Sequence, residues 1–180
     1  MFVRFLQKLF MMKKFFTFLF FCFSIIIFAQ NLTLSDLLAL RKKDIAEVDE
    51  YLTKMKWSLL EAEEPTEESF GLLVYAFGKN NYNDEALSFI RYYYSNYSET
   101  KSISLQIHEA SKLNTYVNQI KSWGGKLYNS YIEDGNVVKI YRGTTMTYIV
   151  LTGIQSSDYE GTKTLYNLVI YTNEDYDNNF

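Results

Sequence analysis

The sequence predicts an α+β domain built as a tandem α-β4 repeat, in which a curved antiparallel sheet of about eight strands carries two main helices on one face. Three observations lead there. Two stretches space apolar residues three and four apart, as an amphipathic helix does: Ile45, Val48, Leu52 and Met55 in the first, and Leu113, Tyr116, Val117, Ile120 and Trp123 in the second. From Ser102 to Ile107 the residues alternate, with Ile103, Leu105 and Ile107 facing one way and Ser102, Ser104 and Gln106 the other, which marks a strand with one wet face. A shift of 65 residues then lays Asp44 on Glu109, Val48 on Leu113, Tyr51 on Tyr116, Met55 on Ile120, Gly78 on Gly143, and Ile103 and Leu105 on Leu168 and Ile170.

The first segment stands apart. Lys13 and Lys14 precede an apolar run from Phe15 to Phe28 that ends at Ala29-Gln30, the order of a secretory signal cleaved after Ala29. Such a run makes roughly 21 Å of helix, too short for a hydrocarbon core about 30 Å thick. Met11 and Met12 offer alternative starts to Met1. Lipidation at Cys22 is opposed by Phe21, where a small residue belongs. The Phe-rich run and Ala-Gln junction resemble signal peptides common in Bacteroidota, which implies a periplasmic or secreted destination. Residues 30–180 are left as one domain with repeats over about 44–107 and 109–172, and no membrane span after cleavage.

Cleavage removes Arg4, Lys8, Lys13 and Lys14 but no acid, so 18 basic residues fall to 14 against 21 acidic ones, a charge of −7. A surface that acidic repels phosphate backbones and argues against nucleic-acid binding. Cys22 is the only cysteine and leaves with the signal, so packing must stabilise the domain without disulfides. All sixteen tyrosines lie beyond the signal. They suit a binding surface, and equally an AT-rich genome.

Along the domain, Ser35 is placed to cap a short helix over 36–42, and Asp44 with Glu47 forms a capping box before the next helix. Glu61, Glu63, Glu64, Pro65, Glu67 and Glu68 read as an acidic, solvated loop. Strands are expected at 57–62, 70–77, 86–94 and 101–107, with turns at 78–84 and 95–100. Ser111 is the expected cap of the second main helix and Gly124-Gly125 its end. Strands at 126–132, 136–142, 145–152 and 164–172 follow, Asp134-Gly135 marking a type I′ hairpin. Residues 173–179 read as a frayed acidic tail.

This element order resembles the tandem repeat of the β-lactamase inhibitor protein family and, more distantly, the saddle of the TATA-binding protein. From the first the resemblance implies only that an exposed sheet can bind another protein. No residue motif of either family is present, so no functional residue carries over.

The chemistry searched for is sparse. His108 is the sole histidine, and no serine sits in a G-x-S-x-G elbow. No catalytic residue, metal ligand set or cofactor motif is identified. The tail NEDYDNN lacks the spacing of a calcium loop, and Asn178, the acidic tail and the helices oppose an outer-membrane barrel despite the final Phe180. The expected function is a protein-binding module that meets another envelope or secreted protein on the sheet face opposite the helices, through Tyr92, Tyr94, Tyr141 and Tyr171. The alternatives are a hydrolase of envelope or extracellular polymers with paired carboxylates, and a structural accessory protein.

Overall fold

The computed structural model describes residues 32–79, 86–157 and 161–180. The expected signal over 1–29 and most of the turn at 78–84 lie outside them. The first described helix, α1 (Leu34–Arg41), is fixed by a reciprocal box two residues earlier than expected: the Asp36 N–H donates to Thr33 Oγ1, and the Thr33 N–H donates back to Asp36 Oδ2. Ser35 cannot serve, because Thr33 already closes the ring over three residues. Leu34, Leu37 and Leu40 are all fully buried, so this short helix is a main core element.

Helix α2 (Ile45–Lys54) opens on the expected Asp44–Glu47 box and buries Val48 and Leu52. Lys56 follows in the left-handed region, φ 65°, and turns the chain into β1 (Trp57–Glu63). Glu61 and Glu63 therefore belong to a strand, and the acidic loop begins only after them. The meander continues through β2 (Gly71–Phe77), β3 (Ser88–Tyr94) and β4 (Ser102–Ile107). Helix α3 (Ala110–Ser122) has Glu109 at its N-cap with no side-chain capping bond, so Ser111 lies inside the helix and does not cap it. Its far end is a Schellman turn: Gly124 is at φ 87°, its N–H reaches Lys121 O, and the Gly125 N–H reaches Ile120 O.

A second meander runs through β5 (Lys126–Glu133), β6 (Asn136–Arg142), β7 (Met146–Ser157) and β8 (Gly161–Thr172). Asp134 and Gly135 both have positive φ, 47° and 77°, as a type I′ turn requires. The expected frayed tail is instead a helix, α4 (Asn173–Asn179), capped by the Thr172 hydroxyl. Its anchors are aromatic: Phe180 stacks on Tyr176 at 5.1 Å and meets Tyr171 edge-on at 5.8 Å.

All eight strands form one antiparallel sheet in the order β1-β2-β3-β4-β8-β7-β6-β5. That order is a palindrome once β1 to β4 are equated with β5 to β8. At its centre Ser104 pairs with Val169, the residue that the 65-residue offset makes its equivalent. Ile103 and Leu105 pair with Ile170 and Leu168 on either side, so an approximate two-fold axis passes through the Ser104–Val169 pair. The internal repeat is thus expressed as symmetry. Helix α1 has no counterpart in the second half, and both halves hold its N-terminal end: Tyr51 of α2 donates to Asp36, and its equivalent Tyr116 of α3 donates to O of Leu32, just before the helix.

The expected curved sheet with two main helices needs correction. The sheet is open, ending at edge strands β1 and β5, and is neither closed nor curled. Four helices accompany it among the described residues. Leucines from α1 join α2 and α3 in the main core, whereas Tyr176 of α4 packs on the opposite face with Val138, Ile140 and Ile149. With helical cover on both sides at β6 to β8, no single face is left to wrap inward.

Acid should probe the α1 box. Burial alone would raise the Asp36 pKa, but hydrogen bonds from the Thr33 hydroxyl and N–H and from Tyr51 outweigh it and hold the pKa below its ordinary 3.8. A carboxyl whose folded pKa is depressed adds stability above the unfolded value, and loses it as pH falls through the folded one. Urea titrations from neutral pH to below that value should show Asp36→Asn flattening the acid slope, and Thr33→Ala costing about 1 kcal/mol at neutral pH.

Candidate binding surface

Strand parity decides which tyrosines can meet a partner. On β3, Ile90, Tyr92 and Tyr94 point into the helix layer with Leu73 and Tyr75 of β2 and Ile103 and Leu105 of β4. Tyr92 is fully buried, donates to Lys43 O at 2.7 Å and stacks on Tyr94 at 6.2 Å. Burial pushes its phenol up to about 12. Tyr94 is also buried, donating to Glu63 O at 3.2 Å, and its ring covers Gly71, where a Cβ would come within 2.5 Å of it. Tyr141 belongs to the same core, with Lys121 Nζ 5.8 Å above its ring. Three of the four expected binding tyrosines are therefore core residues. The alternation that groups Tyr92 with Tyr94 does not say which side of the strand the helices take.

Tyr171 does lie on the opposite face. It is half-buried beside Phe180 and hydrogen-bonded to Ser102, and burial raises its pKa. Register fills in its neighbours. Tyr93 pairs with Ser102, Arg91 with Ser104 and Phe89 with Gln106, and β8 sets Val169 beside Ser104 and Asn167 beside Gln106. Phe89, Arg91, Tyr93, Gln106, Asn167 and Val169 are all half-buried. Arg91 donates to Gln106 Oε1 at 3.3 Å, whereas the buried Asn167 Oδ1 has no hydrogen-bond partner. Among the described residues, helical cover of this face comes from α4 alone, which packs on β7 and β8 and leaves β2 to β4 free of helix. The side of β4 expected to be wet is not: Ser102 and Ser104 are buried, 5 and 8 % exposed, and only Gln106 is half-buried. The aromatic members of this surface alternate with buried residues of the same strand, Tyr93 between Tyr92 and Tyr94 and Phe89 between Ser88 and Ile90.

Elsewhere, a cavity of about 200 Å³ lies between α1, α3 and the β6–β7 turn, lined among others by Leu38, Ile120, Trp123, Thr144 and Tyr148 and by no carboxylate. It offers the hydrolase reading no pair of acids. His108 is exposed just past β4. Among the described residues, no three or more His, Cys, Asp or Glu side chains come together as a metal site, and no helix is long and apolar enough to cross a membrane. No family model, curated protein or solved structure matches the chain, so its reading rests on its own topology and side chains.

Proposed function

We propose that the chain is an exported, periplasmic or secreted, protein-binding module that holds its partner on the sheet face opposite α1 to α3. The observation that carries this reading is the row Phe89, Arg91, Tyr93, Gln106, Asn167 and Val169, half-buried and, among the described residues, without a helix over it at β3 and β4. Aromatic and arginine side chains around amide groups are the composition of an interface core. The export half of the reading rests on Lys13-Lys14, the apolar run and Ala29.

The test is site-specific photocrosslinking in the producing cell. A crosslinker at Tyr93 should give a discrete heterologous product, one at the exposed Asn118 of α3 should not, and Arg91→Ala should weaken capture about tenfold, as loss of an interface arginine does. Equal products from both positions, or none from Tyr93, would overturn it. N-terminal sequencing of the purified protein should begin at Gln30; an intact leader would remove the export half.

A further inference from the structure

We infer that β5 is a self-recognition strand, pairing antiparallel with β5 of a second copy to extend the sheet across a true two-fold axis. This does not depend on the open sheet face. β5 is an edge strand whose eight residues are all exposed, and among the described residues its outer row of backbone donors and acceptors has no neighbouring strand. Sheet edges are ordinarily blunted by charge or proline. The other edge follows that rule: β1 carries Glu61 and Glu63 and runs on into Glu64-Pro65. β5 does not. Between its terminal Lys126 and Glu133 there is no charge, and Leu127, Tyr128, Tyr131 and Ile132 are 56, 62, 40 and 76 % exposed.

The order of residues in KLYNSYIE selects the occupant. Leu127 pairs with Tyr141 and Asn129 with Ile140, so Tyr128 is an extra residue in a β-bulge. The bulge gives β5 an odd number of alternating positions centred on Ser130, and only an odd number lets a strand meet its own copy with matching faces. A two-fold axis at Ser130 then sets Lys126 against Glu133 of the second copy, Leu127 against Ile132, and the Tyr128–Asn129 step against Tyr131. Opposite charges meet at both ends, apolar side chains next, and tyrosines within. Tyr128 is already turned to the face of Tyr131, because the Arg142 guanidinium sits 5.5 Å over its ring. Neither Lys126 nor Glu133 forms an ion pair within the chain among the described residues. Self-pairing of β1 would instead crowd Glu61 and Glu63 against their own copies. The chain also uses this arrangement internally, where the equivalent strands β4 and β8 meet antiparallel about the approximate two-fold axis.

Sedimentation of the purified chain over a concentration series is the test. A monomer–dimer equilibrium is expected, with a dissociation constant on the order of 1–100 µM for so small a contact. Lys126→Glu and Glu133→Lys should each weaken it at least about tenfold by opposing like charges. Mixing the two variants should restore a dimer, now of one copy of each, which also shows that both are folded. A wild-type monomer at about 1 mM, a dimer indifferent to both changes, an open-ended polymer, or no rescue on mixing would overturn the inference.

Discussion

Tyr92→Ala is expected to cost about 3–5 kcal/mol of unfolding free energy, the range for deleting a large buried ring. Tyr92 is fully buried between the sheet and the helix layer, and its hydroxyl ties β3 to Lys43 O, where Lys101 Nζ also donates. Truncation would open a cavity beneath Tyr94 and leave the Lys43 carbonyl with one partner fewer. Tyr92→Phe keeps the ring and should lose about 1 kcal/mol, the net worth of one hydrogen bond. Tyr93→Ala, one residue along on the open face, should cost about 1 kcal/mol or less. Urea denaturation of the three variants therefore reads out which face the helices cover, and a Tyr93 variant less stable than the Tyr92 one would invert it. The same burial makes the domain sensitive to base. Because the folded state favours the neutral phenol, with a pKa near 12 against an ordinary 10.0, Tyr92 contributes stability below pH 10 and loses it as pH rises toward 12. Tyr75 and Tyr116 are raised for the same main reason and add to that slope.

Tyr92 also shows where sequence reading reaches its limit. Local signals were legible: the Asp44–Glu47 box, the Gly124-Gly125 stop and the Asp134-Gly135 turn each act within a few residues, and each is present, whereas the alternation of β4 sorts its residues by face but leaves Ser102 and Ser104 buried, with no wet face. The repeat was legible where loop lengths match, at α2 and α3 and at β4 and β8. It was hidden at the third strands. There Ile90 sits between Tyr75 and Leu105 as Tyr148 sits between Tyr141 and Ile170, yet 148 minus 90 is 58 rather than 65. A longer connection before β3 and a longer β7–β8 hairpin shift the frame and shift it back. Long-range facts left no local trace. Thr172 with Asp175 three residues on is a local start signal for a helix, but nothing near it announces that the helix's tyrosine and the terminal phenylalanine turn to the opposite face, and it is this helix that ends the one-sided plan. For the candidate surface, Gln106 was visible in the alternation of β4, whose Ser102 and Ser104 prove buried, and Arg91 and Tyr93 needed strand register to place them beside it.

What holds that last helix leads to the second large effect. Arg41→Leu should cost about 3 kcal/mol, because it removes one partner of a buried ion pair and leaves Asp175 without its countercharge. Arg41 Nη1 lies 3.2 Å from Asp175 Oδ2, both side chains are only 12 to 13 % exposed, and the same nitrogen donates to Lys101 O at 2.9 Å. The pair joins α1, at the start of the fold, to α4 at its end. Arg41 Nε is buried without a partner, so the guanidinium is incompletely satisfied even in the intact protein. The pair thus fixes where α4 sits more than it adds net stability, and replacing both ends by apolar residues should do less harm than removing either. A double-mutant cycle of Arg41→Leu and Asp175→Leu should therefore return a coupling of about 1–3 kcal/mol, with the double variant more stable than the sum of the single losses allows. A coupling below about 0.5 kcal/mol would mean that α4 is held without the ion pair, by Tyr176, Phe180, the Arg142–Asp177 pair and the hydrogen bonds of Asn173 to Thr147 and the β6–β7 turn. Amide exchange in residues 173–179 separates the cases: protection there should fall in Arg41→Leu before it falls in β8. Because α4 is the helix that covers part of the open face, its release would extend the bare surface from β3 and β4 toward β7. If partner binding through Tyr93 then strengthened, the Arg41–Asp175 pair would be limiting access to that face as well as anchoring the C-terminus.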